Sequence, residues 1–81
     1  MTLNTALSIK SLRCKKLKSQ QEIADKIGVA RQTYNGYENN ILKCDLETVL
    51  KILEALECNK TEIKDFFFAL EQDILSYLGL S

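Results

Sequence analysis

The chain has no proline, no tryptophan and no histidine among its 81 residues, and only three glycines. The missing histidine removes a common zinc ligand and the side chain most used for acid–base catalysis near neutral pH. Cys14, Cys44 and Cys58 stand at unrelated spacings, so they suggest neither a zinc site nor a disulfide. No nucleophile stands beside a base, and no glycine-rich loop could cradle a phosphate. These absences oppose an enzyme, and neither a metal, a cofactor nor a small-molecule ligand is expected. Long apolar runs are missing too. The longest, Phe66 to Leu70, is far short of the roughly 20 residues of a membrane span. The opening MTLNTALSIK lacks a basic segment followed by an apolar core, so no signal peptide is expected. The expectation is a cytoplasmic protein with no membrane partner.

Net charge is missing as well, being zero overall, but its distribution is uneven. Residues 1–43 carry eight basic side chains against three acidic ones, and residues 44–81 carry three against eight. One half is therefore at +5 and the other at −5, a polarity that would orient the molecule on a polyanion. A solvated charged surface is the plainer alternative.

The stretch SQQEIADKIGVARQTYNGYEN, Ser19 to Asn39, has the densest pattern. Ser19 and Glu22 have capping-box spacing, which starts a helix with its first amides satisfied. Ile23 and Ile27 then make one apolar face. Ala24 beside them allows a second helix to cross closely, Gly28 can end the helix in the left-handed region, and Val29 plugs the turn. A second helix from Arg31 to Glu38 has Tyr34 and Tyr37 as its inner face. Its other face holds Arg31, Gln32, Asn35 and the bare backbone of Gly36. Counted from Gln20, apolar groups occupy the fourth, eighth, tenth, fifteenth and eighteenth places, with alanine fifth and glycine ninth. An accidental helical hairpin needs no such combination. The pattern predicts a helix-turn-helix whose second helix lies in a DNA major groove.

LRCKKLKSQQEIADKIGVARQTYNGYENN followed by DLETVLKILEAL resembles the lambda-repressor-like (xenobiotic-response-element) family of bacterial and phage regulators, over about Ile9 to Phe67. The resemblance implies an all-α, compact five-helix bundle with sequence-specific DNA binding. It further implies an ion pair between Arg13 on the first helix and Glu38 at the end of the recognition helix, and a Gln20 that grips a phosphate while bracing that helix. Three positions depart from the family pattern. Leu17-Lys18 replaces a Gly-Leu, Ala30 stands where Ser or Thr usually caps the recognition helix, and Asn40 stands where Gly follows Glu-Asn. The first and last are mild, since asparagine also tolerates the left-handed region.

Taken in order, residues 1–5 are expected to fray. A first helix from about Ala6 to Lys16 places Ile9, Leu12 and Arg13 inward, with Leu17 closing it. Lys10, Lys15, Lys16 and Lys18 then face water or the phosphate backbone, and Cys14 points outward. After a loop from Asn39 to Cys44, Asp45 caps a fourth helix, about Leu46 to Glu57, with Leu46, Val49, Leu50, Leu53 and Leu56 at core spacing. Asn59 and Glu62 cap a fifth, on which Phe66 and Phe67 can close the core. Cys58 packs as a small hydrophobe, and Cys44 is a loop residue.

Residues 1–70 thus form the DNA-binding domain and 71–81 a helical tail that Gly79 ends. Phe68, Ile74, Leu75 and Leu78 exceed what the core can bury and predict a homodimer interface. A sixth helix folded back on the core is the alternative. Arg31 suits guanine, and Gln32 or Asn35 suits adenine. Thr33 suits a thymine methyl or a phosphate, and Gly36 permits close approach. Ser19, Asn40 and Lys43 complete the DNA-contacting set. A dimer predicts half-sites about one turn apart in an inverted-repeat operator. Controller proteins of restriction–modification systems and small phage regulators are both similar to this chain; an antitoxin that autoregulates its operon is the rival reading.

Overall fold

The computed structural model describes residues 4–80, all of whose regular structure is helical. Five α-helices follow in order: α1 Asn4–Lys15, α2 Gln20–Ile27, α3 Arg31–Asn39, α4 Leu46–Ala55 and α5 Lys60–Tyr77. A 3-10 turn at Ile41–Lys43 lies between α3 and α4. Residues 4 and 5, expected to fray, belong to α1; residues 1–3 lie outside the described part.

The helices start where side chains satisfy their free amides. Ser19 accepts from the Glu22 amide while Glu22 accepts from the Ser19 amide, and Asn59 and Glu62 repeat that exchange. Asp45 caps α4 through the Thr48 amide at 2.8 Å. Their ends share a device. At Leu17, Gly28, Glu57 and Gly79 the backbone turns left-handed, and the next residue's amide bonds a carbonyl five residues back. Glycine adopts that turn freely; Leu17, at φ 57°, and Glu57, at φ 54°, do so at a cost.

One core joins the helices. Ile9 of α1, Ile23 and Ala24 of α2, Tyr34 of α3, Ile52 of α4 with Leu56 just after it, and Phe66 of α5 are fully buried. Ala24 permits the close α2–α3 crossing. Phe67 meets Phe66 edge-on, with ring centroids 5.3 Å apart.

Several expectations need correction. Leu17 does not close α1: it is 89% exposed, because its left-handed turn carries it outward. Leu46 and Leu50 lie outside the core, and Ile52 replaces them; the buried stripe of α4 follows Val49, Ile52, Leu53 and Ala55, with Leu56 buried just beyond its end. The post-recognition segment is no plain loop, since Ile41 is buried in its 3-10 turn. Asn40 is extended at φ −155° rather than left-handed, and its side chain caps that turn through the Leu42 amide. The tail is not a separate helix. α5 runs unbroken through residues 70 and 71 to Tyr77, and Gly79 follows its last turn.

Candidate nucleic-acid interface

Tyr34 decides which way α3 faces. Its side chain is fully buried, and Tyr37, three residues on, packs against the same core. Helical spacing then turns Arg31, Gln32, Thr33 and Asn35 away from the core, and all four are exposed. Gly36 is half-buried on that outer side, and a Cβ placed there would meet nothing within 4 Å. Asn39 is exposed one turn beyond Asn35 and extends this face, as its four-residue spacing from Asn35 on the helix requires. Ala30 gives α3 no side-chain cap and its first turn has no acidic residue, so the positive end of the helix dipole is left bare beside Arg31.

Beneath this face lies a polar cluster. Arg13 Nε donates to Glu38 Oε2 at 2.6 Å, Nη2 donates to Oε1 at 3.3 Å, and Nη1 donates to the Lys18 carbonyl at 2.9 Å. The two paired side chains are 12% and 3% exposed. Burial disfavours charge on Glu38, but hydrogen bonds from Arg13 and Gln20, with the Tyr34 hydroxyl close by, outweigh it and hold its carboxyl below the ordinary range. The same partner raises the Arg13 guanidinium above its ordinary value, against burial. Burial above all, with Glu38 beside it, pushes the Tyr34 phenol up. The proximity of that hydroxyl to Glu38 stops short of ordinary hydrogen-bond geometry, so it is the one buried side-chain polar atom among the described residues left unsatisfied.

Gln20, first residue of α2, bridges cluster and face. Its Nε2 donates to Asn35 Oδ1 at 3.0 Å and to Glu38 Oε1 at 3.2 Å. Both amide hydrogens are thereby used on α3. Asn35 is accordingly tied to α2, unlike Gln32, and is not a free side chain.

The charges sort themselves similarly. Lys16, expected to face water or phosphate, turns instead to α5, where Nζ lies 3.0 Å from Glu62 Oε1 and 3.1 Å from the Glu57 carbonyl. Lys15 reaches the same carboxylate at 3.5 Å. Lys10, Lys18, Lys26, Arg31 and Lys43 make no ion pair among the described residues. Ser19 and Asn40 are both engaged as caps, so neither hydroxyl nor amide oxygen is idle. Cys14 is exposed, while burial raises the Cys58 thiol and takes Cys44 to about 11.

Away from this face, Phe68 and Ile74 on α5 and Leu78 just after it are exposed, and Leu75 is half-buried. No helix among the described residues is long and apolar enough to cross a membrane.

No curated protein and no solved structure matches the chain. A helix-turn-helix family model matches residues 9–63, which takes in α1 from Ile9 through the start of α5 and the whole polar cluster. With the buried Tyr34, the capped α2 and the outward α3 in place, the chain belongs to the lambda-repressor-like helix-turn-helix family of DNA-binding regulators.

Proposed function

We propose that this chain regulates transcription as a homodimer, reading an inverted-repeat operator in double-stranded DNA in the manner of restriction–modification controllers and small phage repressors. Arg31, Gln32, Thr33 and Asn35 read base edges, Gly36 allows backbone and groove to approach, and Lys43 and Asn40 meet phosphates beyond the helix. Ser19 and Gln20 hold the start of α2 against the backbone of the DNA. The observation that carries this reading is the orientation of α3: its one fully buried aromatic leaves every base-reading candidate on the opposite, exposed side. Unpaired basic groups in the same half favour a polyanion there.

Dimerisation rests on α5. From its middle to the residue just after its end it exposes Phe68 at 65%, Ile74 at 42% and Leu78 at 59%, more apolar surface than an isolated domain of this size needs to leave in water. Two copies joined there would present two recognition helices at a fixed separation, which for DNA means about 34 Å between half-sites.

Selection of bound sequences from random double-stranded DNA tests the whole reading. The expected result is one palindromic consensus with half-sites about one turn apart. Arg31→Ala should lose the consensus and keep its fold. Retention of the consensus by that variant would move the reading face elsewhere, and the absence of any consensus for the native chain would remove the function.

The rival reading, an antitoxin that also controls its own operon, draws on the same apolar end of α5. An open groove of about 580 Å³ lies there between Leu42 and Ile74, Tyr77 and Leu78. Co-purification of a tight protein partner with loss of self-association would favour it.

A further inference from the structure

A carboxamide has two unlike ends: its nitrogen donates two hydrogen bonds and its oxygen only accepts. Which end of Asn35 faces outward therefore decides what it can read. Glu38 answers the question two steps away. Arg13 donates to both of its oxygens, and its side chain is almost wholly enclosed. Held ionised, it can only accept. The Gln20 atom 3.2 Å from Glu38 Oε1 must then be the nitrogen. That nitrogen's other hydrogen points at Asn35, so the atom 3.0 Å away there must be the oxygen Oδ1. Asn35 Nδ2 is left for the outer side of an exposed residue.

We propose that Glu38, acting through Gln20, fixes Asn35 as a hydrogen-bond donor toward DNA, so that the base it faces is chosen for an acceptor edge and cytosine is rejected. The inference rests on the proposed base-reading role of α3. Guanine offers O6 and N7 and thymine offers O4, whereas cytosine presents only its N4 donor. Adenine is left with a single bond to N7, because the two-bond pairing needs the Asn35 oxygen that Gln20 occupies. Gln20 is a positioning residue in this scheme. With both amide hydrogens spent on α3, it has none to give a phosphate, and the backbone amides at the start of α2 would have to make that contact.

Side-chain amide NMR of the free full-length chain reads the orientation without DNA. Both Gln20 Nε2 protons should exchange slowly and lose that protection in Glu38→Ala, while the Asn35 Nδ2 protons exchange as in a free carboxamide. Protection on Asn35 Nδ2 instead would overturn the proposal. Selection from random DNA supplies the second readout. The native chain should favour guanine or thymine at one position of each half-site. Asn35→Asp, which has the same shape but an acceptor outward, should shift that position toward cytosine or adenine by about tenfold, with other positions unchanged. Asn35→Ala and Gln20→Ala should each relax that position alone. A variant set that leaves the preference at every position as in the native chain would overturn the inference while sparing the proposed function. Failure of the native chain to select any sequence would sink both.

Discussion

Arg13 bonds the Lys18 carbonyl at 2.9 Å with one nitrogen while its other two hold Glu38, so a single side chain fastens the α1–α2 turn to the far end of α3. Removing it exposes two deficits at once: an enclosed carboxylate without a counter-ion and a turn without its clasp.

Arg13→Ala should therefore destabilise the fold by about 3 kcal/mol, the usual cost of stranding one member of a buried pair. Glu38→Gln should cost less, since the isosteric amide keeps an oxygen for Arg13 to donate to, and Arg13, at 12% against 3% exposed, is the less enclosed of the two charges. Chemical denaturation of both variants measures the difference. An Arg13→Ala midpoint equal to that of the native chain would show that the pair contributes nothing.

Leu17 occupies a left-handed turn with its side chain 89% exposed, so it has strain to lose and little packing. Leu17→Gly should raise stability by about 1 kcal/mol, reflecting the left-handed penalty of an L-residue less the extra entropy of glycine when unfolded. Glu57→Gly should act in the same direction, because the contact from Lys16 goes to its carbonyl and survives. Thermal unfolding should show a rise of several degrees for each. A fall at Leu17 would mean that its side chain packs on something other than solvent.

Gly36 separates stability from DNA binding. Open space surrounds the position a Cβ would take, so Gly36→Ala should stabilise α3 by about 0.5–1 kcal/mol. If the groove closes on that backbone, operator affinity should nevertheless fall. A variant that melts higher and binds as tightly as the native chain would place Gly36 off the DNA.

Stability should decline at both ends of the pH range. Glu38 is held below its ordinary value by Arg13, Tyr34 and Gln20 against burial, and Asp45 and Glu62 by their capping hydrogen bonds. Carboxyls depressed by folding contribute stability above their unfolded values and lose it as pH falls through the folded ones. The acid decline should thus begin below about 4.5. Cys44 behaves oppositely. Its thiol is pushed up from 9.0 to about 11 by burial, so its share of stability is intact below 9 and lost as pH rises toward 11. Melting temperatures recorded from pH 3 to 11 check both limbs, and Cys44→Ala should flatten the alkaline one.

Phe68→Asp and Leu78→Asp should yield monomers in sedimentation equilibrium with unchanged helical content, because both side chains are largely in solvent within one chain. Leu75→Asp is the informative contrast: half-buried, it should lower monomer stability as well. Persistent dimers in all three would put the self-association surface elsewhere.

The residues alone determined the starts of α2 to α5, the Gly28 turn, the inward Tyr34 and the outward Arg31, Gln32 and Asn35. Those features follow from local chemistry: a cap acts within three residues, and a helix face repeats every three or four. What tertiary structure decided lies between elements. Lys16 turned from solvent to Glu62 because α5 starts beside the end of α1. Leu46 and Leu50 lost their place to Ile52 because the neighbours of α4 cover only one side of it. Leu17 was carried outward by a turn that no spacing rule required of a leucine, and Gln20 was drawn onto Asn35 and Glu38 by the α2–α3 crossing. Periodicity says which side chains share a face; only the packed chain says what that face meets.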